Sequence, residues 1–285
     1  MILSFHPCIV GDSQIILGDR NLNSDDLILI RKAEAIVLPQ SCSFELYEVC
    51  KDTSALIFPN YDTRFRYPGK IGQSRLFKEL KLSYPATIQW PSVERFRKKS
   101  DNVDDHLHCT PFLIKADRGH EGEGVYLITD QKALESTFKR LNNLEKEGLS
   151  GFISQELIPS DGNVLRVVIL GKRTIIYWKR AESNDKIITT ISRGAKIEED
   201  WRTDLQEKGR IQAQKLSRAT GINLAAVDFV FPFDGPDPYP LFLEINYYFG
   251  RRGLGGSLNY YRLLFRAVQE WLKENGLDPK SIQLV

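Results

Sequence analysis

The chain has 285 residues with 39 Lys plus Arg against 37 Asp plus Glu, so its formal charge of +2 supplies no broad field to hold a polyanion, and nucleic acid is not an expected partner. Hydrophobic residues at 42%, charged residues at 27%, and 20 Gly with 13 Pro exclude collagen-like, low-complexity and disordered chains. At ~150 residues per domain the length provides for roughly two domains, enough to bury a core without disulfides. Cys8, Cys42, Cys50 and Cys109 form no CxxC pair, which predicts free thiols in a reducing cytoplasm and argues against a zinc finger. The first residues lack a basic start, and no stretch approaches the ~18 apolar residues of a membrane helix, so neither a leader nor a membrane is expected.

In chain order, the apolar runs Met1 to Phe5, Ala35-Ile-Val-Leu38 and Ala55-Leu-Ile-Phe58 alternate with charged, helix-like stretches. That is the rhythm of βαβ units and predicts an α/β domain over residues 1–91, in which Leu46, Tyr47 and Cys50 form the apolar side of a short crossover helix. The polar, basic stretch from Ser92 to Leu107 is expected to be a linker or exposed turn, and a domain boundary is placed there. Its His106-Leu-His-Cys109 has no second cluster beside it and reads as a polar linker rather than a metal site.

The second unit, 92–160, is predicted to hold a strand from Pro111 to Ala116, a glycine-rich loop from Asp117 to Gly124, a strand from Val125 to Ile128 and a helix from about Gln131 to Glu147, stopped by Gly148. In the third, 161–285, Asn163 to Leu170 and Arg173 to Trp178 are β-rich runs hinged at Gly171-Lys172, a two-residue hairpin signal. A helix from about Glu198 to Thr220 should end at Gly221, followed by strands Leu224 to Phe231 and Pro240 to Ile245. The last helix gathers Tyr260, Leu263, Leu264, Ala267, Val268, Trp271 and Leu272 on one face, which must cover its own core or a partner.

Three features carry chemistry. In Leu241-Phe-Leu-Glu-Ile-Asn246 the strand period of two puts Glu244 and Asn246 on one face. Asp228 sits amid the apolar run Ala225 to Phe231, where a lone buried carboxylate is expensive and calls for a cation. Three hard oxygen donors on adjacent strands suit Mg²⁺ held together with substrate phosphates, while a solvated polar sheet face is the competing reading. Lys115, at a strand end before Gly119, Gly122 and Gly124, suits phosphate binding through backbone N–H groups and a point charge. A flexible hairpin tip would look the same, and the loop is neither a dinucleotide fingerprint nor a Walker motif.

Taken in order, Phe112-Leu-Ile-Lys-Ala-Asp-Arg-Gly-His-Glu-Gly-Glu-Gly-Val125, Gln155-Glu-Leu-Ile-Pro159, Leu165-Arg-Val-Val-Ile-Leu-Gly171, Lys179-Arg180, Val227-Asp228 and Leu243-Glu-Ile-Asn246 resemble the ATP-grasp superfamily, in the branch of ribosomal-protein glutamate ligases and glutathione synthetase. The resemblance implies a three-lobed α/β ATP-grasp fold. Residues 1–91 are then a pre-ATP-grasp domain, 92–160 a central lobe with a glycine-rich lid, and 161–285 a C-terminal lobe with the metal site. It implies ATP and Mg²⁺, with Mn²⁺ as the alternative ion. Lys70 and Lys115 would contact the phosphates, Gly119, Gly122 and Gly124 would form the lid, and Glu156 and Leu157 would offer backbone groups to adenine. Asp228, Glu244 and Asn246 match the metal ligands, and Arg166 and Arg180 match positions that steady the reacting phosphoryl and acyl groups.

Some positions depart from the pattern. Val164 replaces an aspartate that would hold the ribose hydroxyls, with Asp161 nearby, and Ile188 and Thr190 replace polar residues ahead of Arg193. The small turn after the metal asparagine is here Tyr247-Tyr-Phe-Gly-Arg-Arg-Gly-Leu-Gly-Gly256, in which Arg251 and Arg252 suit a carboxylate or phosphate on the acceptor. The implied activity is an ATP-dependent carboxylate–amine ligase working through an acylphosphate, with a small-molecule or peptide carboxylate and an amine as partners. A homodimer is the common arrangement for such enzymes. An ATP-grasp kinase acting on a small anionic metabolite and a non-catalytic ATP-binding regulatory module are the alternatives that the residues leave open.

Overall fold

The computed structural model describes residues 1–100, 108–118, 124–181, 194–233 and 237–285. The first unit is a parallel sheet in the spatial order Ser13–Gln14, Ile2–Ser4, Ala35–Val37, Leu56–Phe58. Its crossovers are the helices Ser24–Lys32 and Phe44–Lys51. Each starts where its sequence provides an N-cap: Asn23 forms a reciprocal capping box with Asp26, and the Ser43 side chain accepts from the Leu46 N–H. Leu46, Tyr47 and Cys50 are the buried face of the second crossover, as the spacing predicts.

The central sheet is antiparallel, in the order Thr87–Trp90, Phe152–Glu156, Phe112–Ala116, Val125–Ile128. Helices Val93–Ser100 and Gln131–Lys146 cover one side, around an aromatic core of Trp90, Phe96, Phe138 and Phe152. Two expectations change here. The stretch after Ser92 is helical through Ser100, because Val93 and Phe96, one turn apart, are driven into that core at 3% and 2% exposure while the charged residues between them stay outside. The strand Thr87–Trp90 precedes residue 91 yet hydrogen-bonds to Phe152–Glu156, so the sheet reaches across the expected boundary.

The C-terminal sheet is also antiparallel, in the order Lys196–Glu198, Arg173–Arg180, Val164–Leu170, Leu224–Val230, Leu241–Asn246. Helix Thr203–Thr220 covers one face through Leu205, Ala213 and Leu216. It starts later than its sequence pattern suggests because Lys196–Glu198 is taken up as the edge strand against Trp178 to Arg180. Helix Gly256–Glu274 lies on the other face, and its apolar stripe is shared between this sheet and the N-terminal one, with Trp271 against Phe58 at 5.5 Å between ring centroids. The stripe therefore covers the chain's own core. Among the described residues no helix is long and apolar enough to cross a membrane.

Candidate active site

The hairpin at Gly171-Lys172 fixes the register of the C-terminal sheet: Leu170 opposes Arg173, so Arg166 opposes Tyr177 and Val164 opposes Lys179. On the next strands Arg166 opposes Asp228, and Asp228 opposes Glu244. Directly opposed residues of antiparallel strands share a face, and a step of two keeps it, so Arg166, Lys179, Asp228, Glu244 and Asn246 all stand on one side of the sheet.

Asp228 accepts hydrogen bonds from Arg166 Nε and Nη2, both at 2.7 Å, and from Lys179 Nζ at 2.8 Å. A weaker bond of 3.4 Å comes from Asn246 Nδ2. All three charged side chains are nearly inaccessible, at 11% for Arg166, 7% for Lys179 and 5% for Asp228. Burial alone would raise the Asp228 carboxyl, but the two cations beside it reverse that and hold it below the usual carboxylate range. Burial lowers Lys179, opposed by Asp228 and reinforced by Arg166. The cation expected beside Asp228 is thus supplied twice over by the protein.

Across a narrow cleft stands the central sheet. Lys115 lies on its Phe112–Ala116 strand, buried at 7% exposure, with Nζ donating to Gln155 Oε1 at 2.6 Å. It makes no ion pair among the described residues. Burial pushes it down to about 8; Glu244 and Asp228 across the cleft pull the other way, and Lys70 adds to the depression. Lys115 of one sheet and Glu244 of the other line the same cleft, so the two sheets face each other at this point.

Lys70 lies in the first turn of the helix Gly69–Glu79, whose Gln73, Ser74 and Phe77 line the same cleft. Asp117, directly after the Lys115 strand, anchors that helix: its Oδ1 accepts from Ile71 N at 2.7 Å and its carbonyl from Lys70 N at 3.2 Å. Gly69 is required there, because its φ is +66° and a Cβ would lie 2.5 Å from the Asp117 carboxylate. Gly124 closes the base of the glycine-rich loop, its carbonyl accepting from Ala116 N at 2.8 Å, while Gly119 and Gly122 lie outside the described residues, as do Ile188, Thr190 and Arg193.

Glu156 and Leu157 form the exit from the central sheet; the Glu156 N–H donates to the Ala86 carbonyl at 2.9 Å. Val164 is buried and Asp161 is exposed in the turn that precedes it. His108 bonds Ser154 Oγ at 3.1 Å and Cys109 is exposed. The loop after Asn246 folds over the C-terminal sheet. Gly253 passes so close to the Tyr177 ring, opposite Arg166, that a Cβ would approach it to 2.1 Å. Arg251 stacks on Tyr260 and Tyr261 at 4.8 and 4.6 Å and makes no ion pair among the described residues; Arg252 is exposed.

One candidate is displaced. Arg180 follows Lys179 and so points to the opposite face, where it pairs with Glu198 at 2.9 Å and stacks on Trp201 at 4.2 Å. The residue beside Arg166 is Lys179, which strand alternation counted back from the two-residue hairpin could have identified. As for a metal, the described residues hold no group of three or more His, Cys, Asp or Glu side chains. The donors present are two carboxylates and one amide. They fit a hard cation that draws its remaining ligands from phosphate and water. Asn246 uses its amide nitrogen toward Asp228, which leaves its oxygen as the donor end.

Residues 76–257 match the RimK-like ATP-grasp domain. A probable alpha-L-glutamate ligase of Cellvibrio japonicus is 28% identical over 148 residues, 51% of this chain and 45% of that protein, so this alignment spans about half of the relative's length. A probable alpha-L-glutamate ligase 2 of Shewanella baltica is 24% identical over 276 residues, 95% of this chain and 83% of that protein. In structure, the D-alanine–D-alanine ligase of Bacillus anthracis complexed with ATP superposes with a TM-score of 0.60 at 14% identity, over 92% of this chain and 87% of that one, a likeness of fold. With more than half of its residues inside the matched domain, the chain belongs to the RimK-like ATP-grasp family.

Proposed function

We propose that the cleft binds Mg-ATP and that the chain is an ATP-dependent carboxylate–amine ligase. A substrate carboxylate attacks the γ-phosphate to give an acylphosphate and ADP, and an amine then displaces phosphate to form an amide. The observation that carries this reading is that Lys70, Lys115 and Glu244 line one cleft while Arg166, Lys179 and Asp228 gather on the Glu244 side of the sheet, six charged residues from six elements, with no histidine among the described residues that line the cleft. Phosphoryl transfer needs positioned charge rather than a general base, and that is what the cleft offers.

Lys115 and Lys70 hold the phosphates, Glu156 and Leu157 present backbone groups to adenine, and the loop containing Gly119, Gly122 and Gly124 closes over the nucleotide. Glu244, Asn246 and Asp228 are the residues for Mg²⁺, or Mn²⁺ in its place; when bound, the ion offsets phosphate charge. Arg166 supplies a planar donor pair toward the transferring phosphoryl and acyl oxygens, and Asp228 holds it and Lys179 in register. Arg180, on the far face, has no part in this. Arg251, with Arg252 beside it, binds the anionic group of the acceptor over the floor formed by Tyr260 and Tyr261. Since the relatives are named as probable alpha-L-glutamate ligases, glutamate is the first amine to try. The four free cysteines suit a cytoplasmic enzyme.

The test is to mix the chain with Mg-ATP and pooled carboxylates, amino acids and peptides, following phosphate release and product mass. Release that needs both a carboxylate and an amine, with a new mass equal to their sum less water, is the expected result. ADP with a phosphorylated acceptor would make the protein a kinase instead.

A further inference from the structure

The strand Leu241–Asn246 is the outer edge of the C-terminal sheet. Ile245, between Glu244 and Asn246, opposes Val227, while the residues on either side of it oppose Asp228 and Ala226. Its backbone N–H and carbonyl are turned outward, away from the sheet, and Ile245 itself is 2% exposed. Outward-facing groups this deeply placed need partners. Gln73 supplies both: its Oε1 accepts from Ile245 N at 2.8 Å and its Nε2 donates to Ile245 O at 2.8 Å. One side-chain amide thereby does for this residue what a further strand would do.

Gln73 is one helical turn after Lys70, on a helix already tied to the central sheet through Asp117 and through Gln89, whose Nε2 donates to Ser74 Oγ at 2.8 Å. We infer that Gln73 is a positioning residue that fixes the strand carrying Glu244 and Asn246 against the helix carrying Lys70, and so sets the spacing between metal donors and phosphate-binding lysines. The inference rests on the metal role proposed for Glu244 and Asn246. Gln73 reaches those donors only through the backbone between them. Losing a support bonded directly to a ligand commonly weakens metal affinity by about 10- to 100-fold, and Gln73, one backbone step further out, should fall at the lower end of that range.

The experiment uses the full chain with Mn²⁺ as the probe, titrated by electron paramagnetic resonance in the presence of ADP, and ADP binding measured separately in EDTA. Gln73→Met keeps the side-chain length and removes both hydrogen bonds; Gln73→Ala removes the volume as well. Both variants should weaken Mn²⁺ binding by about tenfold or more, with metal-free ADP affinity within about threefold of wild type. Unchanged Mn²⁺ binding in Gln73→Met, which retains volume if Gln73→Ala fails to fold, would overturn the inference. So would an equal loss of metal-free ADP binding, which would make Gln73 a nucleotide contact. Glu244→Gln separates the two levels of argument. If it loses Mn²⁺ and Gln73→Met does not, the inference alone fails; if Glu244→Gln keeps Mn²⁺, the metal reading fails and takes this inference with it.

Discussion

Lys115 and Asp228 are each a buried charge on a sheet, and the two sheets face each other across one cleft, yet their surroundings are opposite. Asp228 has two cations within 2.8 Å; Lys115 has a neutral amide at 2.6 Å and no ion pair among the described residues. One charge is satisfied by the fold, whereas the other, on the function proposed above, awaits an anion that arrives with the ligand. The C-terminal sheet is thus preassembled, and on the same proposal the central sheet is completed by nucleotide.

The most severe way to break the comparison is Asp228→Ala. It would leave Arg166 and Lys179 buried together without their carboxylate, and stranding a buried charge in this way costs about 3–5 kcal/mol. Thermal unfolding should show a fall in Tm of several degrees together with loss of turnover. A variant with unaltered Tm would mean that the two cations relax into solvent and that the sheet is not preassembled. Lys115→Met should show the reverse division. Its folding stability should stay within about 1 kcal/mol, because the loss of one hydrogen bond to Gln155 is set against relief of a desolvated ammonium. ATP affinity, measured by calorimetry, should fall by about 10- to 150-fold, the equivalent of a charge-assisted contact of about 1.5–3 kcal/mol.

A pH series sharpens the same contrast. Lys115 titrates near 10.5 when unfolded and is brought down to about 8 in the fold, chiefly by burial. A depressed folded value means that the ammonium is disfavoured, so this group's stabilising contribution is complete only above the unfolded value and is lost as pH falls through about 8. Nucleotide phosphates favour the ammonium, so ATP affinity should decline as pH rises beyond 8, by up to about tenfold per unit, and Lys115→Met should flatten that decline. Asp228, held below the usual carboxylate range by Arg166 and Lys179, stays ionised throughout this window and adds no slope.

Much of this was legible in the sequence, for local reasons. The stop at Gly221, the turn at Gly171-Lys172 and the alternation of Glu244 with Asn246 are short-range signals, and the elements form where those signals place them. What escaped depends on contacts between distant residues. Thr87–Trp90 belongs to the central sheet only because Phe152–Glu156 pairs with it. The helix after Ser92 hides its apolar face in two residues, Val93 and Phe96. Gln73 bonds a residue 172 positions away and carries no local mark. The choice of Arg180 over Lys179 has a different reason. Arg180 is the more conspicuous phosphate donor as a residue type, and only the register shows which of the two shares a face with Arg166.

That choice between neighbours gives the smallest and most discriminating prediction. Arg180 pairs with a Glu198 that is itself a quarter exposed and lies on the Trp201 ring, so Arg180→Ala removes a partly solvated ion pair and a stacking contact worth about 1 kcal/mol together. Turnover should remain within about threefold of wild type, a barrier change under about 0.7 kcal/mol. Lys179→Met, one residue earlier, removes a donor from Asp228 inside the cleft, and turnover should fall by two orders of magnitude or more, about 2.7 kcal/mol of barrier. The two positions are adjacent in sequence and carry the same charge, so composition and local hydropathy cannot account for a difference between them. Equal effects would show that the pairing of Val164 with Lys179 does not decide which side chain meets the nucleotide, and the one-sided assignment of the cleft would have to be redrawn around both.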